Sequence, residues 1–226
     1  MKMTKRFMTT AVCSVMAAAS MVGMNVAATD VNCCSNSTVN AYNGSAELLA
    51  ASNKHTISSL GTTFKQDGEH LCWAACTQAV LKYYGVTKTQ KEISVYIHND
   101  EKNYDKSGDV YDIGNALNHF NTNGKKSFVG DGGKMATCDK IIRKVNNDKP
   151  VIMTGMQTVD GNTKGHAMLC YGYDKTNSSN IKLYVICPNE NGGRKITLTC
   201  DSVNSTSFTS SDGTETYELS GYAAES

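Results

Sequence analysis

Apolar positions follow two regimes along the chain. From Cys72 onward Trp73, Cys76, Val80 and Tyr83 recur at helical spacing, with Ala74, Ala75 and Ala79 between them and Gly85 as a stop. This predicts a helix that begins at Cys72. Thr87-Lys88-Thr89-Gln90 fits a capping box, and Ile93 and Ile97 continue one helical face to about His98. Residues 99–108 are polar and read as a loop. Asp109 caps a third helix in which Val110, Ile113, Leu117 and Phe120 align, ended by Asn123-Gly124. A short strand over 126–129 precedes a fourth helix, capped by Thr137, with Ile141, Ile142 and Val145 inward.

Beyond Pro150 the period shortens. Residues 150–154 read as a strand, 157–165 as a turn-rich loop, and His166 to Tyr173 as a second strand. Further strands are expected over 181–187 and 195–200, with a last weak one near 217–222. Helices first and antiparallel strands afterwards is α+β organisation. No internal repeat is visible.

The N-terminus changes the domain count. Lys2, Lys5 and Arg6 precede an uncharged, small-residue apolar run that ends Val26-Ala27-Ala28, which reads as a secretory signal peptide over residues 1–28. An uncleaved membrane anchor is the alternative. Residues 29–62 are rich in Ser, Asn, Thr and Ala and read as a flexible linker or a removable pro-segment. Residues 63–226 then form one domain of ordinary size. A secreted location follows, with no stable membrane insertion after cleavage.

Three of the 22 basic residues and none of the 21 acidic ones lie in the leader, so the rest is close to neutral. That balance argues against nucleic acid or an anionic membrane as partner. Of nine cysteines, Cys13 leaves with the leader; Cys33, Cys34, Cys72, Cys76, Cys138, Cys170, Cys187 and Cys200 remain. In an exported protein such a number implies disulfides, yet the map stays open, because a free Cys72 leaves an odd number to pair.

The start of the first helix is where chemistry is expected. Unpaired N–H groups and the macrodipole there favour a thiolate at Cys72. Gln66, on the loop entering the helix, could aim an amide N–H beside that sulfur, as a tetrahedral oxyanion requires. A Gln followed six residues later by Cys-Trp-Ala at a helix start resembles the papain-like cysteine peptidases. The ending Leu81-Lys82-Tyr83-Tyr84-Gly85 is similar to the bacterial branch that includes bacteriocin-leader-processing peptidases. The resemblance implies Cys72 as nucleophile and Gln66 as oxyanion-hole residue. It also implies a papain-like fold in which the Cys helix packs on a sheet that carries the histidine.

An imidazole must take the thiol proton and return it to the leaving amine. His166 opens the strand Gly165-His166-Ala167 and resembles the histidine segment of those bacterial families. Related domains carry Asp or Asn directly before a Pro on the next strand; here that segment is Ile186-Cys187-Pro188-Asn189. A neutral thiol is a poor acceptor for an imidazole N–H. Asn189 is therefore the expected orienting residue, with Asp174 or an unassisted Cys-His dyad as alternatives. Glu69, His70 and residues 157–164 are expected to shape substrate choice, whereas His55, His98 and His119 read as structural or exposed.

Rival constellations fit less well. Cys72-x3-Cys76 with His70 and His166 is not a common zinc spacing, and three intervening residues do not match the redox motif. Neither a metal nor a cofactor is expected. The expected activity is hydrolysis of a protein or peptide through a thioester, with an inhibitor or pro-segment as a further possible partner. Acyl transfer or glutamine deamidation at the same site, and a non-catalytic secreted binding protein that kept the fold, are the alternatives.

Overall fold

Capping chemistry sets where the helices begin. A computed structural model describes residues 52–121, 126–133, 136–189 and 192–226, all within one unit. Helix α1 (Cys72–Tyr83) buries Trp73, Ala74, Ala75, Cys76, Val80 and Leu81. Helix α2 (Gln90–His98) is closed by a reciprocal box in which the Thr89 hydroxyl accepts from Glu92 N–H and the Glu92 carboxylate accepts from Thr89 N–H. The box thus lies two residues later than the periodicity suggests, because only Glu92 supplies the returning carboxylate. Helix α3 (Val110–Phe120) starts at Asp109, which accepts from the amides of Tyr111 and Asp112. Helix α4 (Cys138–Asn146) follows Thr137 as expected, but Thr137 makes no side-chain cap. The carbonyls of Ser205 and Val203 accept from Cys138 and Asp139 N–H instead.

Eight strands form one antiparallel sheet among the described residues: β1 (Lys54–Thr56), β2 (Phe128–Gly132), β3 (Val151–Val159), β4 (Asn162–Asp174), β5 (Ile181–Cys187), β6 (Arg194–Cys200), β7 (Ser207–Ser210) and β8 (Glu215–Glu225). The order β1-β4-β3-β8-β7-β6-β5 curls back on itself, since β5 also pairs with β4. Six strands therefore share a closed ladder, with β1 attached at β4 and β2 at β8. Helix α1 lies against β4 and β3, and α4 covers β4, β1, β3 and β8. Among the described residues the architecture is mixed, four α-helices with a sheet-rich second part. No helix among the described residues is long and apolar enough to cross a membrane.

Three features depart from the sequence expectations. Residues 157–165 are not a loop but the outer arm of the β3–β4 hairpin, which turns at Asp160-Gly161, both at positive φ. The arm carries little apolar alternation because most of it is exposed, and Thr158 and Thr163 join hydroxyls across the strands at 2.8 Å. β8 spans eleven residues and pairs with β2, β3 and β7, so the strand expected to be weak is a central one. Residues 54–60, inside the segment read as linker or pro-segment, hold β1 on the edge of β4 and bury Ile57 and Leu60. The segment read as a signal peptide (1–28), residues 29–51 with Cys33 and Cys34, and the expected Asn123-Gly124 stop lie outside the described residues.

Candidate active site

Cys72 is the first residue of α1, and the segment before it is clamped from two sides. Asp105 accepts from the backbone N–H of His70 at 2.8 Å and of Glu69 at 3.0 Å. Gln90, buried at the start of α2, accepts from Asp67 N–H at 2.8 Å and donates to the Lys65 carbonyl at 2.9 Å. These two side chains fix the approach loop on either side of Gln66. The indole of Trp73 donates to the Lys106 carbonyl at 2.9 Å, which ties the 99–108 loop over the helix end. Gly108 permits that approach, since a Cβ there would meet the Trp73 ring at 2.6 Å.

His166 reaches the same place from the sheet. On β4 it pairs with Gly155 of β3, where the β3–β8 register shifts, and a Cβ on Gly155 would strike the Glu218 carbonyl at 2.1 Å. The hydroxyl of Tyr217, fully buried, donates to the His166 carbonyl at 2.9 Å and lies 3.1 Å from that of Met153. Cys72, His166, Gln66, Glu69, His70 and Lys164 line one cleft of about 530 Å³. The backbone at Cys72, Trp73 and Ala167, the residue after His166, lies close enough to the Cys72 sulfur to favour its charged form.

The electrostatics correct the expectation of a resting thiolate. Burial pushes the Cys72 thiol up, and this outweighs the nearby backbone and the Lys164 charge that pull it down. Burial also lowers the His166 imidazole to about 4, with Lys164 and Arg194 adding to the effect. Around neutral pH both groups are uncharged. A helix N-terminus supplies partial charge, but here the sulfur also loses most of its water.

The outer nitrogen of His166 has an unexpected neighbour. Its Nε2 lies 3.1 Å from Cys187 Sγ, at the end of β5. Gln157 reaches Cys187 Sγ at 4.0 Å and donates to Glu215 at 2.8 Å, and Glu215 in turn pairs with Arg194. Burial raises the Cys187 thiol to about 11, so it is neutral too. Asn189 lines the same recess of about 390 Å³; its Oδ1 accepts from Gly193 N–H and its carbonyl from Gln66 N–H. Asp174 stands eight residues along β4, on the order of 25 Å away at strand rise. There it pairs with Lys54 and accepts from Thr176 N–H, so it does not serve His166.

Gln66 lines the cleft, but both of its amide N–H groups are engaged, by the carbonyls of Gly68 at 2.7 Å and Glu69 at 2.9 Å. Of the other histidines, His55 pairs with Asp148, His98 stands edge-on to Trp73, and His119 stacks on Tyr96. Among the described residues no cluster of three or more His, Cys, Asp or Glu could hold a metal ion. Asp105, Gln90, Tyr217 and Gln157 carry no motif. Only the apolar strand pattern around Tyr217 hinted that one of them would be buried.

A comparison with curated proteins found no match. The family model described as the Peptidase_C39 like family matches residues 62–214, which takes in Gln66, Cys72, His166, Cys187 and Asn189. That match covers well over half of the chain and agrees with the resemblance carried by the Gln-Cys-Trp-Ala stretch, and the protein therefore belongs to the Peptidase_C39 like family of cysteine peptidases.

Proposed function

We propose that the protein is a secreted, papain-like cysteine endopeptidase that works through a thioester. The observation that carries this reading is the shared cleft: Cys72 on α1 and His166 on β4 line it together, with Gln66 beside them. As the substrate carbonyl enters, His166 takes the Cys72 proton, sulfur bonds to carbon, and the oxyanion settles against the Cys72 N–H. Gln66 contributes by exchanging the Gly68 or Glu69 carbonyl for the substrate oxygen. Collapse breaks the C–N bond, and the imidazolium gives its proton to the leaving amine. Water, deprotonated by the same imidazole, then resolves the thioester.

This sequence needs His166 to keep its proton on Nε2, facing Cys187, so that Nδ1 can act as base. Cys187 Sγ can accept that proton's hydrogen bond while its own S–H turns toward the Pro188 carbonyl, 4.0 Å away. We therefore assign Cys187, rather than Asn189, the task of orienting the ring. Exposing a peptide library to the purified chain, followed by mass spectrometry, tests the reading. New termini that vanish in Cys72→Ala support it; mass-neutral transfer products or one-dalton glutamine shifts would replace it with acyl transfer or deamidation.

A further inference from the structure

A second pair of cysteines lies outside this site. Cys138, the first residue of α4, and Cys200, the last of β6, place their sulfurs 3.4 Å apart, and both side chains are buried. They are free thiols in this structure, already in hydrogen-bond contact. No other cysteine pair among the described residues makes a sulfur–sulfur hydrogen bond. We propose that Cys138 and Cys200 form a disulfide when the chain meets an oxidising disulfide donor, and that this bond staples α4 to the sheet.

Local structure holds the two residues in place before any bond forms. The 201–206 loop, directly after Cys200, caps α4: the Ser205 and Val203 carbonyls accept from Cys138 and Asp139 N–H at 3.0 and 2.7 Å. Cys200 Sγ also contacts the Ser202 carbonyl at 3.4 Å. The helix start and the strand end are thus held together by the bonds that Thr137 does not make. Closing the sulfurs requires a shift of a little over 1 Å toward the ordinary S–S length of about 2.05 Å.

The chemistry balances with a small-molecule or protein disulfide as oxidant. Cys200 is the attacking thiol, because it is the more exposed of the two and so the one a donor disulfide can reach. Its thiolate attacks the donor disulfide, which gives a mixed disulfide and releases one donor thiol. Cys138 then loses its proton and attacks Cys200 Sγ, which forms the internal bond and releases the second donor thiol. The two thiol hydrogens of the protein leave with the two reduced donor thiols.

The ring closed by this bond contains α4, β3, β4, β5 and β6, with both His166 and Cys187 inside it. Cys72 lies outside and stays free to react. The staple stiffens the half of the site that carries the imidazole, and it resolves part of the cysteine arithmetic without using the nucleophile.

The full chain, reduced and then equilibrated in an oxidised-glutathione buffer, tests the proposal by alkylation under denaturing conditions and peptide mapping. Expected is one peptide pair joined through Cys138 and Cys200, separated by reductant, with Cys72 alkylated. Reductant should lower the wild-type melting midpoint by roughly 5–10 °C and leave the Cys200→Ser midpoint unchanged. Alkylation of both Cys138 and Cys200 after oxidation would overturn the proposal, as would a link from either to another cysteine. The outcome does not depend on peptidase activity, so its failure is separate from failure of the functional reading.

Discussion

His166 Nε2 stands 3.1 Å from the Sγ of Cys187, the residue at the position before Pro188 where the resemblance leads to Asp or Asn being expected. A thiol is a weaker acceptor than either. Replacement of Cys187 by Ala should therefore lower kcat about tenfold with KM little changed, and Cys187→Asn should restore it. Cys187→Asp should further raise the imidazole pKa, visible as an acidic limb shifted to higher pH. If all three variants lose activity only in step with their melting midpoints, and the pH profile does not move, Cys187 serves packing alone.

A neutral resting pair has a kinetic signature. Cys72 is held above the ordinary thiol range by burial, so its thiolate fraction rises about tenfold per pH unit through neutrality. The iodoacetamide rate at Cys72 should climb continuously from pH 5 to 9. A plateau across pH 5–8 would instead mark a preformed thiolate–imidazolium pair.

Burial of neutral His166 links folding to pH. Its folded pKa of about 4 lies below the unfolded value near 6.5, so the unfolded chain binds the proton more readily between those limits. Stability is full above about pH 6.5 and falls as pH drops toward 4, by about 3 kcal/mol at most. Glu92 and Asp212, both lowered to about 2, add their losses only at lower pH. Urea midpoints at pH 7 and pH 4.5 check this, and His166→Gln should show a shallower loss across that window.

Asp105 braces the loop that presents Cys72. Asp105→Ala leaves the Glu69 and His70 N–H groups without their carboxylate, so it should cost about 1–3 kcal/mol of stability. Peptide turnover should fall by at least the same tenfold that Cys187→Ala causes. Asp105→Asn, which keeps one acceptor oxygen, should recover part of both.

These cases show what the sequence displayed and what it hid. The α1 start was legible because helical spacing, Gly85 and the Gln66–Cys72 interval are all local. The placement of His166 on a strand was legible because an apolar run follows a Gly-His start. The Cys187 contact was visible as a departure, but its meaning depended on a neighbourhood built by Gln157, Glu215 and Arg194. Those three come from β3, β8 and β6, and no local pattern brings them together. The β3–β4 arm was misread for a related reason: strand pairing holds it, while periodicity reports burial, which it largely lacks.

Hydrolysis at this site requires that Cys72 become acylated with His166 as its base. Acid quench of the chain turning over an activated peptide ester, followed by intact-mass and peptide mapping, tests it most directly. Expected is an acyl adduct on the Cys72 peptide, released by hydroxylamine and formed at least about a hundredfold more slowly in His166→Ala. An adduct on another residue, or one formed equally fast without the imidazole, would contradict it.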